Sequence, residues 1–345
     1  MKNRQLRLRR HIKQGEPVSL DLFDVVENEM PKPGKGQFLA KTIALGTSPA
    51  QRAYLMGSES RFHPPLALGD TMRGRGAAEV VLSNHPDYPV GSFVSCSTGW
   101  QDYSIQDGDQ SRMPVKTLQH IHHPQDPLYL HLGTLGASAF AAYFGLLDIG
   151  RPKPGETVLI SSCAGGVGSI AAQIAKLKGC KVVGIAGGPE KCAWLKDVVG
   201  VDAAIDYKND DLSAMIRTHC PDGVNVYFDN VGGEILEACL ENLAYNARIV
   251  LCGSISEYAR EEKFGLKNYT KLRDANAVMH GYFVYNYLDQ FESCNAQLAA
   301  WIAAGQLKPL IDQLDGFDKM PEALIGVYTG ANVGTRCVKV KQDEA

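Results

Sequence analysis

The sequence predicts an α/β protein in which a doubly wound parallel sheet is joined to an antiparallel β region. Three observations support this fold class. The chain has 345 residues, which is more than one hydrophobic core usually supports. Short apolar runs separated by Pro and Gly turns fill the part before about residue 130, and strands alternate with helices from Thr157 onward. We therefore expect two domains of different architecture.

The first 130 residues have the pattern of antiparallel strands. The runs QFLAKTIAL, AAEVVL and GSFVSC are short, apolar and bounded by turn residues. The opening NRQLRLRR is expected to be an edge strand with an Arg-rich outer face. The uncharged run from Leu132 to Leu147 is too short to span a bilayer and is diluted by Gly, Ala and Ser, so we expect a buried helix.

From Thr157 the pattern becomes that of βαβ units. TVLI precedes a helical segment, KVVGIAG precedes PEKCAWLKDVVG, AAIDY precedes DDLSAMIRTHC, and VNVYFDNVGG precedes EILEACLENL, before the strand RIVLCG. This alternation indicates a parallel sheet covered by helices on both faces. The tail is mixed, with helices in FESCNAQLAAWIAAGQL and near MPEALIGVY and a closing strand TRCVKV.

The composition is that of an ordinary globular protein. The formal net charge is -3, with 45 % apolar and 21 % charged residues, so no nucleic acid or membrane partner is expected. The nine cysteines are scattered without a C-x-x-C pair, which indicates reduced thiols and a cytoplasmic location. The opening residues have no apolar stretch of the kind found in secretory signals, which agrees with that location.

The stretch SSCAGGVGS, residues 161–169, connects the strand TVLI to a segment with apolar residues at helical spacing. Strand, turn, helix and next strand together occupy residues 157–186, the size of one nucleotide-binding βαβ unit. Gly165 and Gly168 allow the backbone to approach a pyrophosphate and the helix to approach the sheet. Ser162 replaces the first glycine of G-x-G-x-x-G, so an ordinary tight turn is the alternative interpretation.

The end of the second strand decides which dinucleotide is bound. An Asp or Glu there would accept hydrogen bonds from the ribose hydroxyls of NAD, but residues 186–188 read AGG. Lys191 follows, and residues 206–208, reading DYK, end the third strand. An ammonium group at this edge favours a 2′-phosphate, so NADP is preferred over NAD. Glu190 could pair with Lys191, and Lys191 could also be only a solvated helix residue.

The residues around this turn resemble a known superfamily. The segment LGTLGASAFAAYFGLLDIGRPKPGETVLISSCAGGVGSIAAQIAKLKGCKVVGIAGGPEK is similar to the cofactor half of the medium-chain dehydrogenase/reductases. It is most similar to the zinc-free, NADP-dependent branch with prostaglandin/leukotriene reductases, alkenal double-bond reductases and curcumin-reductase-like enzymes. Further matches are NRQLRLRR, GWQDY, FDNVGG, CGSISEY, GYFVY and GANVGTRCVKV. The resemblance implies a Rossmann domain at residues 134–303 and a GroES-like antiparallel domain built from residues 1–133 and 304–345.

The resemblance also implies an NADP-dependent homodimer that reduces the carbon–carbon double bond of a small conjugated carbonyl substrate. It implies that Lys191 and Tyr207 bind the 2′-phosphate, that Asn332 and Gly334 close over the nicotinamide, and that Tyr285 lies near the substrate. The other residues implied to bind the cofactor are Gly165, Gly166, Val167 and Gly168 at the pyrophosphate, and Asn230, Cys252, Ser254 and Tyr258 along the groove.

No metal site is expected. Zinc-dependent members of the superfamily have an early Cys ligand and a Gly-His-Glu before a strand, whereas the corresponding stretches here are LGTSPAQ and GRGAAEVV.

Two further departures from the family pattern predict an altered substrate pocket. Residues 48–50, reading SPA, replace an Asp-Pro-Tyr-like turn, and Ala139 and Ala141 stand where Gly and Thr are usual.

Hydride transfer to the β-carbon of an enone moves charge onto the carbonyl oxygen, and a hydrogen-bond donor aimed at that oxygen lowers the barrier. Tyr285 is the candidate donor, and the alternative is a tyrosine that only packs within a strand. Two other functions stay open at this point. One is a quinone reductase with a similar cofactor turn, and the other is a cofactor-binding protein with a structural or regulatory role.

Overall fold

The computed structural model describes residues 2–57, 64–107, 118–122 and 127–340. The strands in these ranges are, in chain order, β1 (Lys2–Leu8), β2 (Phe23–Glu29), β3 (Gln37–Gly46), β4 (Gly76–Ser83), β5 (Phe93–Cys96), β6 (Tyr103–Asp107), β7 (Gln119–His120), β8 (Thr157–Ile160), β9 (Lys181–Ala186), β10 (Ala203–Asp206), β11 (Val224–Asp229), β12 (Leu243–Leu251), β13 (Val278–Gly281), β14 (Ile311–Asp315) and β15 (Thr335–Lys339).

The helices are α1 (Arg52–Leu55), α2 (Ala137–Phe144), α3 (Gly166–Leu177), α4 (Pro189–Trp194), α5 (Leu212–His219), α6 (Gly233–Leu240), α7 (Ile255–Tyr258), α8 (Lys271–Asp274), α9 (Phe291–Ala303) and α10 (Met320–Thr329). Short 3₁₀ segments are Leu20–Leu22, Pro49–Gln51, Leu128–Leu132, Val284–Gln290 and Phe317–Lys319, and π-helical turns are Gly145–Gly150 and Leu195–Val199. Within the described ranges, no helix is both long enough and apolar enough to cross a membrane.

The chain divides into two compact units. The first comprises residues 1–133, 311–331 and 336–345, and the second comprises 134–310 and 332–335. The second unit therefore includes 304–310 and 332–335, which the sequence analysis assigns to the antiparallel domain. Both segments are bonded to α3 or the turn before it, because Lys308 N donates to Gln173 Oε1 at 2.8 Å and Gly334 N donates to Ala164 O at 2.7 Å.

In the second unit, six parallel strands form one sheet in the order β10-β9-β8-β11-β12-β13. Counting β8 as strand 1, the order is 3-2-1-4-5-6, and the direction in which successive strands are added to the sheet reverses between β8 and β11. Helix α3 packs on β8 and β9, and α6 packs on β11. Ile216 of α5 and Leu236 of α6 belong to one buried cluster with Leu159, Ile185 and Ile249 of the sheet. The predicted doubly wound parallel sheet is confirmed.

The first unit is built on an antiparallel sheet in the order β14-β15-β3-β4-β5-β7, with β6 also pairing with β3. The strand predicted at the start of the chain is β1, which pairs with β2 in a separate two-stranded sheet and forms single bridges to Thr71 and Gln101. Leu6 and Leu8 of β1 enter a core that includes the fully buried Trp100. Arg4 of the same strand forms a two-point ion pair with the buried Asp102.

One predicted element is shorter than expected. The run Leu132–Leu147 is not a single helix, because α2 begins at Ala137 and the chain continues after Phe144 as a π-helical turn. Gly136 is extended and Gly133, with φ -130° and ψ -94°, is neither helical nor extended, and these two residues separate Leu132 from the helix. Glycine takes such angles without steric cost, so the uncharged run is interrupted at these residues.

Candidate nucleotide site

The turn after β8 carries the glycines predicted to bind a pyrophosphate. Gly165 is the N-cap of α3, with φ -86° and ψ 177°. Its own amide donates to Ser162 O at 2.9 Å, and the first bond inside the helix runs from Ser169 N to Gly165 O at 3.0 Å. The amides of residues 166–168 precede that bond, so they have no acceptor inside the helix. They form the positive end of α3 and fit an anionic group.

Other atoms pack closely against two glycines of this turn, so a side chain at either position would collide with them. A Cβ on Gly168 would lie 2.7 Å from Cys163 Cα and closer still to Ser162 O, both of them backbone atoms. A Cβ on Gly166 would lie 2.7 Å from Thr335 Oγ1. Ser162 itself has φ +48°, so the residue that replaces the first glycine adopts the left-handed conformation that glycine usually provides. The turn keeps the geometry of the glycine motif.

A segment from the far end of the chain lies against this turn. Gly334 forms a parallel bridge with Gly165, and its amide donates to Ala164 O at 2.7 Å. Asn332 Nδ2 donates to Gly334 O at 2.9 Å, and Lys191 Nζ donates to Asn332 O at 2.7 Å. Three of the predicted cofactor residues are thus linked by direct hydrogen bonds, and a fourth, Gly165, is paired with them through the bridge to Gly334. Asn332 therefore lies beside the lysine predicted to bind the 2′-phosphate.

Tyr207 lies at the end of β10, beside the turn that follows β9. Its side chain is 45 % exposed, and its amide donates to Ala186 O at 3.1 Å. The neighbouring Asp206 accepts from Gly188 N at 2.8 Å, and this bond is the largest cause that lowers the pKa of Asp206. Asp206 therefore holds the backbone of the turn. It is 8 % exposed.

Asn230 lies at the end of β11, where the strand order reverses and open α/β sheets bind their ligands. Its Nδ2 donates to Ser161 O at 2.7 Å, and its amide donates to Ser161 Oγ at 2.8 Å. Asp229 was not among the predicted residues. Its Oδ1 accepts hydrogen bonds from Ser161 Oγ, Tyr227 OH and the amides of residues 231 and 232, and burial raises the pKa of its carboxyl group. The sequence signal that could have found Asp229 is an acid directly before the turn in FDNVGG.

The segment 252–258 follows β12 and is hydrogen-bonded to the end of β11. Cys252 N and Gly253 N both donate to Asp229 O, at 2.9 and 3.0 Å. Ser254 is the N-cap of α7, and Tyr258 is the last residue of that helix. Burial raises the pKa of Cys252 to about 11, so this thiol is not a ready nucleophile. All three predicted residues therefore belong to a loop next to Asn230.

Three tyrosines lie in residues 282–287, and their hydroxyl groups have different partners. Tyr282 OH donates to Ala141 O and lies 3.2 Å from Cys252 Sγ. Tyr287 OH donates to Asp148 Oδ2 at 2.7 Å, and burial and this bond raise its pKa to about 12. No hydrogen bond from Tyr285 OH is found within the described part of the chain, and its ring packs on Phe283, at 5.2 Å between ring centroids.

Tyr285 is not on a strand. It lies in the 3₁₀ segment Val284–Gln290, four residues after β13 ends. The ring of Tyr285 also lies near Phe291, at 6.4 Å between ring centroids. Hydrogen bonds join several of the predicted cofactor residues to one another, whereas the contacts found for Tyr285 are with neighbouring aromatic rings.

The two predicted departures from the family pattern each have a tyrosine hydroxyl beside them. In the first unit, Tyr328 OH donates to Pro49 O at 2.7 Å, and Ser48 caps the 3₁₀ turn that Pro49 begins. In the second unit, Tyr282 OH donates to the carbonyl oxygen of Ala141. Ala141 itself is thus bonded to a phenol from another segment, and in the SPA turn the bonded residue is Pro49.

No group of three or more His, Cys, Asp or Glu side chains among the described residues is arranged to hold a metal ion. The nine cysteines are free, and eight of them are buried. The strand order, the reversal point and the open amides at the first turn together define a Rossmann-type dinucleotide-binding protein.

The comparisons with known proteins identify the family. Residues 166–303 match a family described as zinc-binding dehydrogenase, and residues 4–113 match one described as the N-terminal domain of oxidoreductase. The chain belongs to the medium-chain dehydrogenase/reductase superfamily, in its zinc-free NADP-dependent branch.

Three relatives illustrate the match. The chain is 36 % identical over 336 residues to the NADPH-dependent curcumin reductase of Escherichia coli, covering 96 % of this chain and 95 % of that protein. It is 35 % identical over 311 residues to the 2-alkenal reductase (NADP(+)-dependent) of Nicotiana tabacum, covering 90 % and 89 %. The crystal structure of CurA in complex with NADPH from Vibrio vulnificus matches with a TM-score of 0.90 and 33 % identity, covering 99 % and 100 %.

Proposed function

We propose that the protein is an NADPH-dependent reductase of the carbon–carbon double bond in α,β-unsaturated ketones and aldehydes. The observation that carries this proposal is the bonded group of Gly165, Gly334, Asn332 and Lys191, which forms a phosphate-binding edge at the start of α3. The related reductases, which act with NADPH or NADP, support the choice of cofactor and reaction.

The residues present fit NADPH. Open amides of residues 166–168 suit the pyrophosphate, and Lys191 with Tyr207 suits the 2′-phosphate because Asp206, the acid that ends β10, is bonded to the backbone of the turn. Because Asn332 is bonded to Lys191, we assign Asn332 and Gly334 to the pyrophosphate and adenosine half of the cofactor. The position over the nicotinamide that the resemblance implies for these two residues stays a prediction. Asn230 and the loop with Cys252, Ser254 and Tyr258 would line the remaining groove.

When bound, NADPH supplies the hydride. The chain's own contribution at the substrate is a donor for the carbonyl oxygen on which negative charge develops. Tyr285 OH suits this role because the hydroxyls of Tyr282 and Tyr287 are already bonded to Ala141 and Asp148.

The direct test is steady-state oxidation of NADPH against a panel of enals, enones and quinones, with NADH at equal concentration. We expect turnover with enals and enones and a clear preference for NADPH. Turnover confined to quinones would replace the proposed reaction by quinone reduction. Binding of NADPH without turnover on any member of the panel would support a structural or regulatory role instead.

We also propose a cytoplasmic homodimer. Its free cysteines agree with a reducing compartment, and β13 is the outer strand of the parallel sheet, with Val278 59 % exposed. An exposed edge strand is a template for pairing with a second copy. Light scattering should give twice the chain mass, and Val278→Arg should shift the protein towards monomer.

A further inference from the structure

Gly187, just after β9, is covered by two side chains from the end of β10. A Cβ on Gly187 would lie 2.8 Å from Tyr207 Cε1 and 2.9 Å from Lys208 Cε. The ring of Tyr207 and the aliphatic stem of Lys208 therefore occupy the space that a side chain at residue 187 would need. In NAD-binding proteins of this fold, the acid that binds the ribose hydroxyls stands at this end of the second strand.

The backbone of Lys208 is held in this place by the turn. Asp206 Oδ1 accepts from Lys208 N at 3.1 Å and from Gly188 N at 2.8 Å, so one buried carboxylate joins the two turns. Its other oxygen accepts from Asn209 Nδ2 at 2.7 Å. The nearby Asp210 is also turned to the backbone, because its Oδ2 accepts from Asp206 N at 2.9 Å. These carboxylates hold the turn together.

The ammonium group of Lys208 differs from that of Lys191. Lys191 Nζ donates to Asn332 O, whereas Lys208 Nζ has no hydrogen bond or ion pair within the described ranges. Lys208 is exposed, and its stem leans over Gly187. Its charge lies at the predicted phosphate edge, where it helps to lower the pKa of the neighbouring Asp206, and its three N–H donors are not used by a described residue.

We propose that Lys208 is a specificity-determining residue that binds the 2′-phosphate of NADPH together with Lys191 and Tyr207. This inference rests on the proposed NADPH function. A dianionic phosphate between two ammonium groups forms charge-assisted hydrogen bonds with both, and the 2′-hydroxyl of NADH offers no such charge. Glycine at residue 187 leaves this space to Lys208 and Tyr207, and a larger residue there would displace both side chains.

The test is calorimetric binding of 2′,5′-ADP and of 5′-AMP, two cofactor fragments that differ only in the 2′-phosphate. Lys208→Gln is expected to weaken binding of 2′,5′-ADP by about tenfold or more and to leave 5′-AMP unchanged. Lys208→Arg, which keeps the charge, should retain most of the affinity. Lys181→Gln is the matched control, because Lys181 is an exposed lysine at the opposite end of β9.

The outcomes separate the two proposals. Wild-type protein that binds 2′,5′-ADP no better than 5′-AMP would overturn the NADPH preference and the role of Lys208 together. Wild-type preference for 2′,5′-ADP that persists unchanged in Lys208→Gln would overturn only the role of Lys208. Equal weakening of both fragments would also overturn it, because the lysine would then act on the fold of the turn and not on the phosphate.

Discussion

The nucleotide turns, meaning the turns after β8, β9 and β10, and the tyrosine segment, residues 282–287, lie in one unit but are built differently. In the nucleotide turns, the ligand-facing groups include backbone amides, fixed by local bonds such as Gly165 N to Ser162 O. In the tyrosine segment, the hydroxyls of Tyr282 and Tyr287 are held by Ala141 and Asp148 from a distant part of the chain, and that of Tyr285 is left without a described hydrogen bond. A binding turn can therefore be encoded in a few consecutive residues, whereas the arrangement of the three phenols depends on residues far apart in the sequence.

The largest effect should come from Gly168→Ala in the nucleotide turns. The added methyl would collide with backbone atoms of Ser162 and Cys163, which cannot move without shifting α3 from the sheet. We expect the free energy of unfolding to fall by about 3 kcal/mol and NADPH binding to be lost. Urea unfolding and calorimetry measure the two effects.

Gly265→Ala is the control for this change. Nothing lies within 4 Å of a Cβ at that glycine, so the variant should keep wild-type stability and NADPH affinity. A Gly168→Ala protein that binds NADPH normally would show that the contact between α3 and the turn does not fix the nucleotide turns.

The second largest effect should come from Tyr285→Phe in the tyrosine segment. Tyr285→Phe removes a hydroxyl without a described partner, so we expect kcat for enones to fall by roughly 10²–10³, as for the loss of one oxyanion donor, with NADPH affinity unchanged. Tyr287→Phe, the matched variant, breaks the bond to Asp148 and should cost about 1 kcal/mol of stability with little loss of kcat. Stopped-flow reduction measures the enone activity of the two variants, and thermal unfolding measures their stability. Equal activity losses in both variants would contradict the assignment of Tyr285.

The same difference explains how far the sequence could be interpreted alone. The period of the apolar residues predicted β8, β9, β10 and β11, because each strand is encoded by its own consecutive residues. The bond from Lys191 to Asn332 joins residues 141 positions apart, and the sequence contained no local sign of it. The positive φ of Ser162 was also hidden, because a serine in that position looks like a departure from the glycine motif.

Lys191→Gln should have a smaller effect, confined to the adenosine phosphate. We expect the KM for NADPH to rise roughly tenfold, because one charge-assisted bond is lost, while the KM for NADH changes by less than about threefold. Lys196→Gln, an exposed lysine on the following π-helical turn, should behave as wild type. Initial rates with both cofactors measure this. A parallel rise for NADPH and NADH would mean that Lys191 acts through its bond to Asn332 and not through the phosphate.

The smallest effect should come from Asp206→Asn, which tests whether the nucleotide turns are held by charge. The amide of Gly188 holds the pKa of Asp206 below its ordinary value, so the folded state binds this proton more weakly than the unfolded state. The stabilisation is therefore present at neutral pH and is lost as the pH falls from about 4 through the lowered pKa. We expect Asp206→Asn to be about 1 kcal/mol less stable at pH 7, because the neutral amide is a weaker acceptor for the turn. Urea unfolding at several pH values should show the two proteins converging in acid, and a gap independent of pH would mean that shape and not charge holds the turn.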